Sequence, residues 1–151
     1  VDGCKLSKEL LKEHPETHAL LSNTSVVFSK RSDDFDFRSQ RPALEHRTDG
    51  SLRRVSFDEQ HRTRWEGNAT EGGLWLSALH TAANTLYRPD LVVPLVLEEG
   101  DIIIMDASRV LWGQVPAHPN THSVIDGSFF ARDDICSRLR VLHRMVSGSS
   151  E

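Results

Sequence analysis

Asp58 and Glu59 set two carboxylates side by side with Arg62 just beyond them, and two carboxylates there would repel an anionic group. His14-Pro15-Glu16 is the sequence's one His-any-acid triplet, and imidazole and carboxylate are both metal-ligand types. It stands beside a proline, where a solvated helix end is the competing reading. His118 and His122 read as surface-loop residues. Trp112 offers only an N–H donor, with no lone pair for a metal. Cys4 and Cys136 are too few and too far apart to frame a fold with disulfides, and neither sits at zinc-site spacing. Ser, His and Asp are plentiful, yet there is no Gly-any-Ser-any-Gly elbow, phosphate loop or spacing that nominates a catalytic triad. Unrelated hydrolase chemistry therefore finds little support.

The elements that would position these residues follow from periodicity and turn chemistry. Leu6, Leu10 and Leu11 recur at helical spacing up to His14-Pro15, and Pro15 opens a second helical segment through Leu20 and Leu21. Val26, Val27 and Phe28 predict a strand; residues 33–37 carry no clear assignment. Asp49-Gly50 between 42–46 and 52–57 predicts a hairpin. Residues 62–73 read as a loop, and Leu76, Leu79, Ala83 and Leu86 mark one face of a helix that Pro89 stops. Residues 91–97, 102–106, 110–114 and 124–130 predict a meander of short strands. A final helix over 132–145 has Ile135, Leu139, Leu142 and Val146 on one stripe and Asp133 and Asp134 in its first turn, where the helix dipole favours negative charge.

The 151 residues, 38% hydrophobic and 26% charged, suit a single domain over 1–151. Eighteen basic against 22 acidic side chains give a formal charge of -4, which argues against a nucleic-acid partner. No apolar run approaches the roughly 20 residues of a membrane span, so no membrane partner is expected. The start has neither a signal-peptide core nor an Arg-rich transit pattern, and the two cysteines suit a reducing compartment; the cytoplasm is expected, with the mitochondrion as alternative. Without an initiator Met, Val1 reads as the middle of a longer reading frame or as a processed or truncated product. The sequons at Asn23 and Asn68 would matter only in a secreted chain.

Several blocks carry a resemblance. Val1-Asp2-Gly3 precedes a helix with the pattern Leu-Leu-Lys-Glu-His-Pro-Glu, then Leu20-Leu21-Ser22 and a Val-rich strand. Gly-Asp-Ile-Ile-Ile-Met-Asp over 100–106 leads to Val110-Leu111-Trp112-Gly113, and Ser137-Arg138-Leu139-Arg140-Val141-Leu142 lies near the end. The chain resembles the C-terminal portion of the γ-butyrobetaine and trimethyllysine hydroxylases, iron(II) and 2-oxoglutarate dioxygenases. That resemblance implies a mainly β fold with flanking helices, a partial double-stranded β-helix or jelly-roll. The upstream half carrying the family's His-any-Asp motif is absent from these residues.

The same resemblance implies where chemistry has been lost. Iron in that family is held by two His and a carboxylate on one face, and the family's Val-Leu-His-Gly ligand position is Trp112 here. The arginine that forks onto 2-oxoglutarate falls at Ser123, which brings no charge. Arg109 is the nearest retained cation. The family's Phe-Asn-Asn substrate pattern appears as Phe57-Asp58-Glu59, followed by a matching Arg62. The aromatic that cages a trimethylammonium group falls at Phe129, where a ring face attracts a cation by about 0.5–2 kcal/mol or the side chain packs inward as core. Asp106 matches a family Asp, with Ala107 replacing the Asn after it.

The implied function is the C-terminal portion, or a degenerate relative, of such a hydroxylase of carnitine biosynthesis, inactive as this chain. No cofactor is expected for these residues, although the family uses iron(II) and 2-oxoglutarate. The alternative is a non-catalytic binding or dimer-forming module on the same fold. A trimethylammonium compound is then the expected small-molecule partner and a homodimer the expected association, since unpaired strand edges invite it.

Overall fold

A computed structural model of the protein describes residues 1–63, 65, 67–113 and 124–148. It contains two compact units, Val1–Gly113 and Gln114–Glu151. In the first unit, α1 (Gly3–Glu13) and α2 (Pro15–Asn23) precede β1 (Ser25–Arg31), β2 (Asp36–Pro42), β3 (Leu44–His46) and β4 (Leu52–Val55), and α3 (Ala69–Leu86) follows. The second unit holds α4 (Arg132–Ser147).

Local chemistry accounts for most of these boundaries. Asp2 caps α1 by accepting a hydrogen bond from the Cys4 amide at 2.8 Å. Pro15 at the first position of α2 loses no helical hydrogen bond, because that amide has no partner within the helix. β1 and β2 form an antiparallel hairpin in which Val26 faces Arg41 and Phe28 faces Ser39. The unassigned 33–37 segment is thus a turn followed by the start of β2. β3 and β4 form the hairpin predicted around Asp49-Gly50, with Gly50 at a φ of 80°, a left-handed conformation suited to glycine. A register shift between Glu45 and His46 marks a bulge.

Leu6 and Leu10 of α1, Leu21 of α2, Val26 and Phe28 of β1, Leu44 of β3, Val55 of β4 and Trp75, Ala78 and Ala82 of α3 form one buried cluster. Arg88 ties the end of α3 to α1 through Glu13 at 2.8 Å and to Asp90 at 2.9 Å.

Expectations about α3 are corrected first. α3 starts at Ala69, inside the stretch read as loop, because Asn68 caps it by accepting from the Thr70 amide at 2.8 Å. Its buried face runs through Gly72, Trp75, Ala78, Leu79 and Ala82, and Leu76 is exposed. Gly72 within this helix lies where an added Cβ would come within 2.9 Å of the Trp65 ring.

The meander is the largest departure. Residues 91–97, 102–106 and 124–130 belong to no strand, and residues 110–113 contribute only a bridge from Val110 to Asp2; residue 114 lies outside the described residues. A strand is completed by the ladder of a neighbour, and these segments have none among the described residues. Ile102 and Ile104 are 86% and 92% exposed as a result. The described sheets are two separate two-stranded hairpins, which do not join into a double-stranded β-helix, and helices hold more of the described chain than strands do. α4 extends to Ser147, and its Ile135, Leu139, Leu142 stripe is present but exposed.

Candidate functional site

The two ends of the first unit meet. The Gly3 amide donates to the Arg109 carbonyl at 2.8 Å, the Leu111 amide donates to the Val1 carbonyl at 2.9 Å, and the Val1 ammonium donates to the Leu111 carbonyl at 2.7 Å. The Val55 amide donates to the Ser108 carbonyl at 2.9 Å, so residues 108–111 also run against the end of β4. Arg109 forks onto Asp2 through Nη2 at 2.7 Å and Nε at 3.2 Å. Leu111 packs against the core, whereas Trp112 is 62% exposed.

The Arg109 guanidinium, followed by the Cys4 amide, holds the Asp2 carboxyl down to about 2 against an opposing effect of burial. A carboxyl depressed below its ordinary value near 3.8 contributes stability that is present above that value and is lost as pH falls through about 2. Replacing Asp2 by Asn keeps a helix-capping side chain but removes the charge. The thermal midpoint of the Asp2→Asn variant is expected to lie below that of the native chain at neutral pH and to converge on it between pH 4 and pH 2. A constant difference across that range would exclude the ion pair as the cause.

A second locus lies where residues 57–62 cross α3. Phe57, Glu59, Leu76, His80 and Ala83 line an open cleft of about 490 Å³. Arg62 is fixed there by its bridge to Phe28, and the Ser29 amide donates to the His61 carbonyl at 2.7 Å. Each of the adjacent carboxylates is matched by a basic group three residues on: Asp58 meets His61 Nδ1 at 2.7 Å and Glu59 accepts from Arg62 Nη2 at 2.7 Å. The Glu59 carboxylate raises the Arg62 pKa above its ordinary value, against burial. Arg62 also lies over the Trp75 ring, 5.4 Å from its centroid. The predicted repulsion between Asp58-Glu59 and an anion is therefore largely compensated locally, and the Arg62 fork is already engaged.

Among the sequence-derived candidates, Asp58, Glu59 and Arg62 come together. Phe129 is 90% exposed and in no strand, so the inward packing expected of it is not seen among the described residues. Ser123, His118 and His122 lie outside the described residues. His14 is exposed at the junction of α1 and α2. Arg109, the retained cation, is engaged by Asp2. Sequence reasoning missed His80, whose place on the cleft depends on the register of α3, and the meeting of Ser7, His18 and His46, which no sequence spacing signals.

The iron that the resemblance implies does not fit the described residues. Trp112 supplies no lone pair, and no group of three or more His, Cys, Asp or Glu side chains able to hold a metal ion occurs among them. No described helix is long and apolar enough to cross a membrane.

The helices and hairpins around a Val-Asp-Gly segment joined to Arg109-Val110-Leu111 are compatible with a partial domain of α and β elements. No family model matches the chain. It is 26% identical over 147 residues to the γ-butyrobetaine dioxygenase of Pseudomonas sp. (strain AK-1), covering 95% of this chain and 38% of that protein. It is 24% identical over 156 aligned positions to the γ-butyrobetaine dioxygenases of Homo sapiens and Pongo abelii, covering 99% of this chain and 40% of each of them. The chain is thus a distant, partial relative of the γ-butyrobetaine dioxygenases, spanning about 40% of the length of those relatives.

Proposed function

We propose that this chain is a catalytically silent part of a dioxygenase scaffold of the γ-butyrobetaine type, corresponding to its C-terminal portion. The observation that carries the reading is Trp112. It follows directly on the 109–111 segment held against residues 1–3, so the two blocks that bear the resemblance pair with each other and support the register in which an indole replaces the iron-binding imidazole. Engagement of Arg109 by Asp2 adds to this, since it takes up a cation that the resemblance retains. Incubated with ferrous iron, 2-oxoglutarate and γ-butyrobetaine, the chain is expected to consume no oxygen beyond a protein-free control. Uptake that rises with iron and stops with chelator would refute the proposal.

A second reading concerns binding without oxidation. Carboxylates stand at the positions of the family's two asparagines, and Glu59 lines the cleft beside the Phe57 ring. The aromatic face of Phe57 suits the cationic end of a trimethylammonium compound, with Glu59, whose charge is shared with Arg62, lining the same cleft. Calorimetric titration with γ-butyrobetaine, repeated with Glu59→Gln, tests it: binding that is indifferent to Glu59 removes the basis of this reading.

A further inference from the structure

Ser7, His18 and His46 are far apart in sequence and meet in the first unit. Ser7 lies on the buried stripe of α1 beside Leu6 and Leu10 and is 6% exposed. Its Oγ is 3.0 Å from His18 Nε2 and 3.3 Å from His46 Nε2. The two imidazole rings are 5.2 Å apart between centroids and inclined at 53°. His18 comes from the middle of α2, where Ser22 Oγ donates to its carbonyl at 2.7 Å. His46 ends β3 at the bulge, an irregularity of the kind that re-aims a side chain. Both imidazoles are only half-buried, so one side of the cluster stays open to solvent.

We propose that Ser7 Oγ, His18 Nε2 and His46 Nε2 form three corners of a binding site for a borderline divalent cation of the zinc(II) class. Three ligands at about 2.0–2.1 Å from a tetrahedral ion are separated by about 3.3 Å, and two imidazoles bound to it through Nε2 have centroids about 5 Å apart. The two serine-to-imidazole distances, 3.0 and 3.3 Å, and the 5.2 Å between ring centroids lie close to those values. In the metal-free state the hydroxyl donates its one proton to one imidazole and accepts from the other. An ion replaces this chain by taking lone pairs from both ring nitrogens and the oxygen, with water in the fourth position. The donor set has no carboxylate, which disfavours magnesium and calcium and separates this site from an iron site of two His and a carboxylate.

The test is zinc titration of the chelator-treated full chain, followed by calorimetry and by the ring nitrogen resonances of the eight histidines. One equivalent is expected to bind ahead of any other, raise the melting temperature and shift the Nε2 resonances of His18 and His46. Changes in the surroundings of a zinc ligand already cost about 10- to 100-fold in affinity, so His18→Gln and His46→Gln are each expected to lose at least about tenfold. Ser7→Ala is expected to lose less. Zinc that leaves the His18 and His46 resonances of the native chain in place would overturn the proposal, whether or not the variants fold. So would a His18→Gln/His46→Gln double variant that binds as tightly as the native protein.

Discussion

Replacing Gly3 by Ala is expected to destabilise the first unit by about 1–3 kcal/mol, as overpacking of a well-filled site does, and replacement by Val by more. A Cβ at Gly3 would lie 2.7 Å from the Arg109 carbonyl oxygen and 2.7 Å from Val55 Cγ1. Neither neighbour yields cheaply: the first is backbone in the 109–111 segment, and the second is a core side chain of β4. The strain therefore falls on the pairing that ties Val1-Asp2-Gly3 to Arg109-Val110-Leu111. Denaturant unfolding measures the loss, and hydrogen exchange at the Leu111 amide localises it. A variant of native stability with an unchanged Leu111 amide would mean that the two ends of the unit do not pack as described.

Trp75→Ala is expected to cost about 3–5 kcal/mol, a large share of the roughly 5–15 kcal/mol that holds a domain folded. Trp75 is 1% exposed, stacks near Trp65 with centroids 6.2 Å apart, and carries the Arg62 guanidinium over its ring. Its Nε1 is buried without a hydrogen-bond partner among the described residues, a desolvation cost of about 1–3 kcal/mol. Trp75→Phe removes that burden while keeping an aromatic ring, so it is expected to destabilise far less than Trp75→Ala. Unfolding curves for the two variants give the comparison. Equal losses would show that neither the retained ring nor the removal of the buried N–H offsets the loss of the indole.

Much of the first unit was legible because its signals are local. The Leu6 and Leu10 spacing, Pro15 at a helix start and Asp49-Gly50 between apolar segments each specify a conformation through chemistry within a few residues. α3 was only half legible: Gly72 and Gly73 suggested a loop, and tertiary packing of Trp75 outweighed their low helix propensity. The apolar run at 102–105 was a sound strand pattern, but it describes the side chains a strand would present and cannot supply the neighbour whose ladder makes the strand. The same limit separated the two loci. Asp58, Glu59 and Arg62 are close in sequence and were found together, whereas Ser7, His18 and His46 converge only through the packing of α1, α2 and β3.

Under the proposed function, an indole, Trp112, occupies the place at which the resemblance puts an iron-binding imidazole. A ferrous ion chelated by 2-oxoglutarate within a protein site gives a visible charge-transfer absorption, which can be followed anaerobically during titration of the chain with both. The spectrum is expected to be the sum of its components at every ratio, for the native chain and for Trp112→Ala alike. A band that saturates at one equivalent of iron in the native chain would contradict the account, and its loss in Trp112→Ala would place the metal at the very position held here to be unable to bind it.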